Sequence, residues 1–255
     1  MEIGGIKWAT VNIGAESATD TGLYFQWGDT QGYTASQVGG GEGQKYFGWA
    51  DYKYSNEDGS VITKYNSTDG KTVLEASDDA VTANWGSQWR MPTTAEYAAL
   101  GSAVNAVWTE DYQGSGVAGM ICTDKNDSSK VLFFPACGRC ANGSISSVSS
   151  LVYCWSSSPL NDLTRYAYRL YFYSGGRIWQ DTDIRPIGSP VRGIYVGPES
   201  QQVSVQGVTQ AEKDTWNASG IQQQVDWNQT DTTAVDYIKN KPTIPAAQVN
   251  SDWNA

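Results

Sequence analysis

Apolar residues come in short runs separated by glycine and polar turns. Ile6-Lys7-Trp8-Ala9-Thr10-Val11-Asn12-Ile13 reads as an opening strand that runs into a turn at Gly14-Ala15. Gly22-Leu23-Tyr24-Phe25-Gln26-Trp27 predicts a short aromatic strand stopped by Gly28-Asp29. Glycines at 39–43 and turns at Asp58-Gly59 and Asp69-Gly70 make a long irregular middle. Thr93 and Glu96 have capping-box spacing, so a helix is predicted from about Thr94 to Val104, with Pro92 fixing its approach. Lys130 to Pro135 reads as a buried strand. In Ala167–Tyr173, period two sets Tyr168, Leu170 and Phe172 against Arg169, Tyr171 and Tyr173. The fold class expected is α+β. Trp8, Trp27, Trp85, Trp89, Trp155, Leu170 and Phe172 are expected in or beside its core.

Composition adds a boundary. Up to Gly197, Trp, Tyr and Gly are dense; beyond it Gln, Asn, Asp and Thr take over, so two parts are expected, 1–197 and 198–255. In the second part Thr209-Gln210-Ala211-Glu212 opens a short helix, and Pro242 and Pro245 exclude one later. The triplet Asp226-Trp227-Asn228 returns 26 residues on as Asp252-Trp253-Asn254, the expected trace of a longer repeat array. So few apolar side chains cannot offset roughly 1–2 kcal/mol of backbone entropy per residue, so this part is expected to assemble with other chains through Trp216, Trp227 and Trp253.

Of the 255 residues, 17 are Lys or Arg and 27 Asp or Glu, a formal charge of −10 that argues against a nucleic-acid partner. No apolar stretch reaches the roughly 18 residues of a spanning helix, so no membrane insertion is expected, and Met1–Gly5 carries no secretory signal. Histidine is absent, which removes Ser–His and Cys–His nucleophile pairs and His-ligated zinc. Asp78-Asp79 follow Ser77 at a helix start and read as cap and dipole residues. With no activated nucleophile in view, the chain is not expected to be an enzyme. Cys122, Cys137, Cys140 and Cys154 fit isolated thiols, a disulfide or, least well, zinc. Calcium could draw on Asn56-Glu57-Asp58, Asn66–Asp69 or Asp181-Thr182-Asp183, but none matches a calcium-loop template, and no cofactor is expected.

The order of motifs carries a resemblance. Trp8-Ala9-Thr10, Trp85-Gly86-Ser87-Gln88-Trp89-Arg90-Met91-Pro92-Thr93, Phe134-Pro135-Ala136, Trp155-Ser156-Ser157-Ser158 and Ala167-Tyr168-Arg169-Leu170-Tyr171-Phe172 resemble the Fibrobacter-type major paralogous domain, over residues 6 to about 194. That resemblance implies a C-type lectin-like fold, in some relatives diversified by a retroelement. Val208–Ala218, Asp226–Thr230 and Ala234–Pro245 are similar to segments of phage tail fibres, which implies an elongated trimeric fibre-type segment. Together they imply a receptor-binding adhesin in the virion tail fibre, acting at the host cell surface. Its partners would be a bacterial surface glycan or protein receptor, its own homotrimer and other tail proteins. The alternatives are a structural fibre component without a ligand, or a bacterial cell-surface binding protein. The ligand face expected is Tyr153, Arg165, Tyr166, Arg169, Tyr171, Tyr173, Arg177 and Trp179, because Tyr and Arg give large rigid contacts with directional donors. Exposed residues tolerate change, so truncating Arg169 and Tyr171 together is expected to leave the fold nearly as stable.

Overall fold

The structure is a computed structural model and describes residues 1–197; the fibre-type segment expected over 198–255 lies outside the described residues. In chain order come β1 (Glu2–Ile3), β2 (Ile6–Trp8), α1 (Ala80–Trp85), β3 (Trp89–Arg90), α2 (Thr94–Ala103) and β4 (Val104–Thr109). They are followed by β5 (Gly119–Asp124), β6 (Val131–Pro135), β7 (Cys137–Ala141) and β8 (Ser144–Val148). The last four are β9 (Leu151–Pro159), β10 (Tyr166–Tyr173), β11 (Gly176–Ile184) and β12 (Ile194–Tyr195). The strands pair antiparallel in the orders β1-β2-β12-β3, β11-β10-β9, β4-β5-β6 and β7-β8, so the described residues form an α+β fold with few helices.

Both helices start on side-chain caps. Thr93 Oγ1 accepts the Glu96 N–H at 3.2 Å, the Glu96 carboxylate accepts the Thr93 N–H at 2.7 Å, and Arg90 grips the same carboxylate at 2.6 and 2.8 Å. Asp79 accepts the N–H groups of Val81 and Thr82 at 2.9 Å and that of Met91 at 2.8 Å, so one buried carboxylate caps α1 and ties it to the segment leading into α2. Where the sequence pattern predicts a strand at 22–27, Tyr24 and Phe25 form only single bridges, to Tyr33 and Ser189. Each residue pairs with a different segment, so no ladder propagates. Gly28 then turns the chain at φ 78°.

The β9–β10 sheet lies between two cores. Val152, Cys154, Leu170 and Phe172 join a cluster with Trp8, Tyr97, Leu100, Leu132 and Phe134. Trp155 and Ala167, of the opposite parity, join Trp27, Tyr65, Val81, Met91 and Ile187. The expected aromatic core residues all fall in these clusters or, for Trp85 and Trp89, half-buried against the second. Burying each large side chain contributes about 1.5–3 kcal/mol.

The irregular middle is pinned by polar groups. Asp51 accepts the N–H groups of Phe47 and Gly48 at 3.1 and 2.8 Å, holding Phe47 at φ 58°. Tyr65, also at φ 58° and fully buried, gives its N–H to Asp69, while Arg185 donates to its carbonyl at 2.8 Å and to that of Lys64 at 3.2 Å. Left-handed backbone costs a bulky residue about 1–2 kcal/mol, which these paired bonds outweigh.

Asp78 sits beneath this loop, in contact with Lys53, Lys64 and the Tyr65 hydroxyl. Burial alone would raise its pKa, but hydrogen bonds from Lys64, Tyr54 and Tyr65 outweigh it and bring the carboxyl to about 2. A depressed folded pKa stabilises above the unfolded value, near 3.9, and that stabilisation fades as pH falls toward 2. Melting temperature should therefore drop from pH 4.5 to 2.5, and Asp78→Asn should flatten that drop while lowering the plateau at pH 6. An unchanged slope in the variant would place the acid sensitivity elsewhere.

Candidate ligand-binding face

Strands β9, β10 and β11 carry most of the residues expected at the site, and the register decides which ones meet. Tyr171 pairs with Tyr153 on β9 and with Ile178 on β11; Tyr173 pairs with Leu151 and Gly176. Tyr153, Tyr171 and Tyr173 consequently form a continuous stack, with centroids 5.2 and 5.5 Å apart and ring planes 13° and 27° from parallel. Each such contact adds about 0.5–1.5 kcal/mol beyond its buried area. The Tyr173 ring lies across the turn into β11, where a Cβ on Gly176 would stand 2.8 Å from its hydroxyl and one on Gly175 2.9 Å from the ring. Two residues without side chains give that tyrosine its seat.

Arg169 does not project into solvent. Only 7% exposed, its guanidinium lies 4.1 Å from the Tyr153 ring centroid and bonds Asp181 at 2.8 Å and Asp183. Arg139, from β7, reaches the same Asp183 at 2.6 Å. The result is an alternating row, Arg139–Asp183–Arg169–Asp181, laid against the tyrosine stack. Burial pushes the Tyr153 phenol above its ordinary pKa, so it stays neutral. Truncating Arg169 would leave two carboxylates short of a partner, a type of loss that costs about 3–5 kcal/mol when fully buried. The expectation that Arg169 and Tyr171 can be cut together with almost no loss of stability is corrected at Arg169, which is buried and ion-paired.

The other expected residues divide. Arg165 stacks 4.7 Å above Trp49 of the irregular middle, and half-buried Tyr166 has the strand parity of Leu170. Arg177 pairs with Phe172, and Trp179 meets the Phe172 ring edge-on at 4.7 Å, so both belong to the opposite face, toward α2. The single face expected from sequence is thus a tyrosine stack clamped by Arg169, with Arg177 and Trp179 behind it. Half-exposed Tyr173 and Ile178 and partly buried Tyr171 form its open part.

Sequence reasoning missed Arg139 and grouped Asp181 and Asp183 with the oxygen-rich turns, whereas both lie in strand β11. Two acids at i and i+2 in a strand share one face, and with Arg169 on the neighbouring strand they signal an ion-paired ladder as readily as a calcium turn. Of the other oxygen-rich turns, Asp58 accepts the Ser60 N–H and Asp69 the Lys71 N–H, the geometry of ordinary Asx turns. All four cysteines are free and buried, and burial pushes the thiols of Cys122, Cys137 and Cys140 up to about 12. They pack as small apolar groups. Comparison of the chain with protein-family models, curated proteins and solved structures returns no match.

Proposed function

We propose that residues 1–197 are the ligand-recognition domain of a tail-fibre-type receptor-binding protein, with a C-type lectin-like architecture, that attaches to a bacterial surface glycan or protein through the Tyr171–Tyr173 face. The observation that carries this reading is the clamped tyrosine stack. Its rings are held by their neighbours, by glycines and by a row of ion pairs, so little freedom is left to lose on binding. Tyrosine loses only two torsions while offering a wide apolar ring and a hydroxyl, the properties of a recognition surface. The motif order from Trp8 to Phe172 supports the lectin-like assignment, and the fibre-like repeats beyond 197 support homotrimeric assembly with other tail proteins in the virion. No chemistry is assigned to the face, whose charged groups are committed to one another.

The test is attachment of the full recombinant chain to intact bacteria and to their extracted surface glycans. Saturable binding, lost when Tyr173 is replaced by alanine while the domain stays folded, is the expected result. Attachment that survives this substitution would reject the face as the receptor site.

A further inference from the structure

Behind the tyrosine stack, β11 and α2 enclose an open groove of about 520 Å³, lined by Ala98, Gly101, Ser102, Arg177, Trp179 and Gln180 among others. Its volume lies within the range of small-molecule sites. Its floor is set by a close approach: a Cβ on Gly101 would fall 2.6 Å from the Trp179 indole, so the ring rests against the bare helix backbone. Gln180 reaches Thr94 at the start of α2, at 3.4 Å to its carbonyl and 3.3 Å to its hydroxyl, which fixes the strand against the helix. The wall is preformed.

Arg177 is the feature that needs a partner. Among the described residues, Arg90, Arg139 and Arg169 pair with carboxylates, Arg185 and Arg192 with buried oxygens, and Arg165 stacks on Trp49. Arg177, exposed like Arg165, is the one of these whose side chain makes no ion pair, hydrogen bond or ring contact among the described residues. A second cation stands nearby, for Lys125 Nζ donates to the Ser102 carbonyl at 2.7 Å. An indole beside a free guanidinium matches a pyranose bearing a carboxylate: the sugar's C–H face lies on the ring and the carboxylate takes the planar fork. The chain's net negative charge does not forbid this, because charges beyond about 8 Å are screened at physiological ionic strength.

We propose that this groove is a second ligand site, for an acidic sugar, independent of the tyrosine face. The experiment titrates the full chain with galacturonate, galactose and acetate, following indole N–H resonances by NMR, with the Trp179 signal assigned from Trp179→Phe. Galacturonate should move that signal and bind at least tenfold more tightly than galactose or acetate. Arg177→Gln should abolish the preference over galactose with no change in melting temperature, while Tyr173→Ala should leave it intact. Equal affinity for the two sugars, acetate binding as tightly as galacturonate, no shift at Trp179, or a preference that survives Arg177→Gln would each overturn the proposal. Attachment to cells through the tyrosine face is read separately, by Tyr173→Ala, so either proposal can fail alone.

Discussion

Methionine in place of Arg192 should lower the unfolding free energy by about 2–5 kcal/mol, a large share of the 5–15 kcal/mol available to a domain. Arg192 is fully buried, with no carboxylate among its bonded partners; its guanidinium donates to Asn12 Oδ1 at 3.1 and 2.9 Å and to the Phe133 carbonyl at 2.8 Å, and lies 4.5 Å from the Phe134 ring centroid. Burial pulls its pKa below the usual value. Removing that charge relieves a desolvation cost, but it strands two buried acceptors at about 1–3 kcal/mol each, and the acceptors decide the sign. Lysine tests the cause. It keeps the charge but has a point donor where a fork spans two elements, so Arg192→Lys should destabilise to a similar degree. Urea unfolding measures both variants. A loss under about 0.5 kcal/mol in either would mean that the contacts of Arg192 are not what joins β6 to the Asn12 segment.

The second large effect separates binding from stability. Alanine at Tyr171 and Tyr173 removes the open part of the stack and leaves the Arg139–Asp183–Arg169–Asp181 row in place. Hot-spot truncations cost roughly 2 kcal/mol each, about thirtyfold in affinity, and stacked neighbours will not add independently. The double variant should therefore lose at least a hundredfold in attachment while staying folded, its stability falling by about 1–3 kcal/mol for the two stacking contacts removed. Arg169→Ala should behave in the opposite way, losing stability first and attachment only with it. If Arg169→Ala stays folded and stops binding while the tyrosine pair is dispensable, the guanidinium contacts the ligand and the face is assigned wrongly.

Some of this was legible in the sequence and some was not, for identifiable reasons. The Thr93–Glu96 box specifies α2 locally, because cap and acceptor are three residues apart and need nothing distant. The Val131–Pro135 run is apolar enough to be buried whatever lies beside it. The alternation in β10 is equally local, and it assigned Arg169 to the side of Tyr171 correctly. Whether that side meets water is decided elsewhere, by Arg139 on β7 and Asp181 and Asp183 on β11. Arg177 and Trp179 were assigned to the wrong side because pairing shifts between Arg169 and Tyr171, so the parity of β11 cannot be counted from β10. Tyr24 and Phe25 look like a strand because buried aromatics and strand aromatics are spelled alike.

The order β1-β2-β12-β3 has a consequence for synthesis on the ribosome. Strands β2 and β3 do not pair with each other; Ile194 stands between them, matched to Trp8 on one side and Arg90 on the other. The Val191 and Gly193 carbonyls likewise accept the N–H groups of Ile13 and Ala9. Strand β2, near the start of the fold, is thus completed by nearly the last residues described. At about 5–20 residues per second, Trp8 waits on the order of 10–40 s for its partner. During that interval the unpaired edge of β2 and the apolar surface of the first core are open to other nascent chains. Expression yield should therefore respond more strongly to chaperone supply than the stability of the finished domain would indicate.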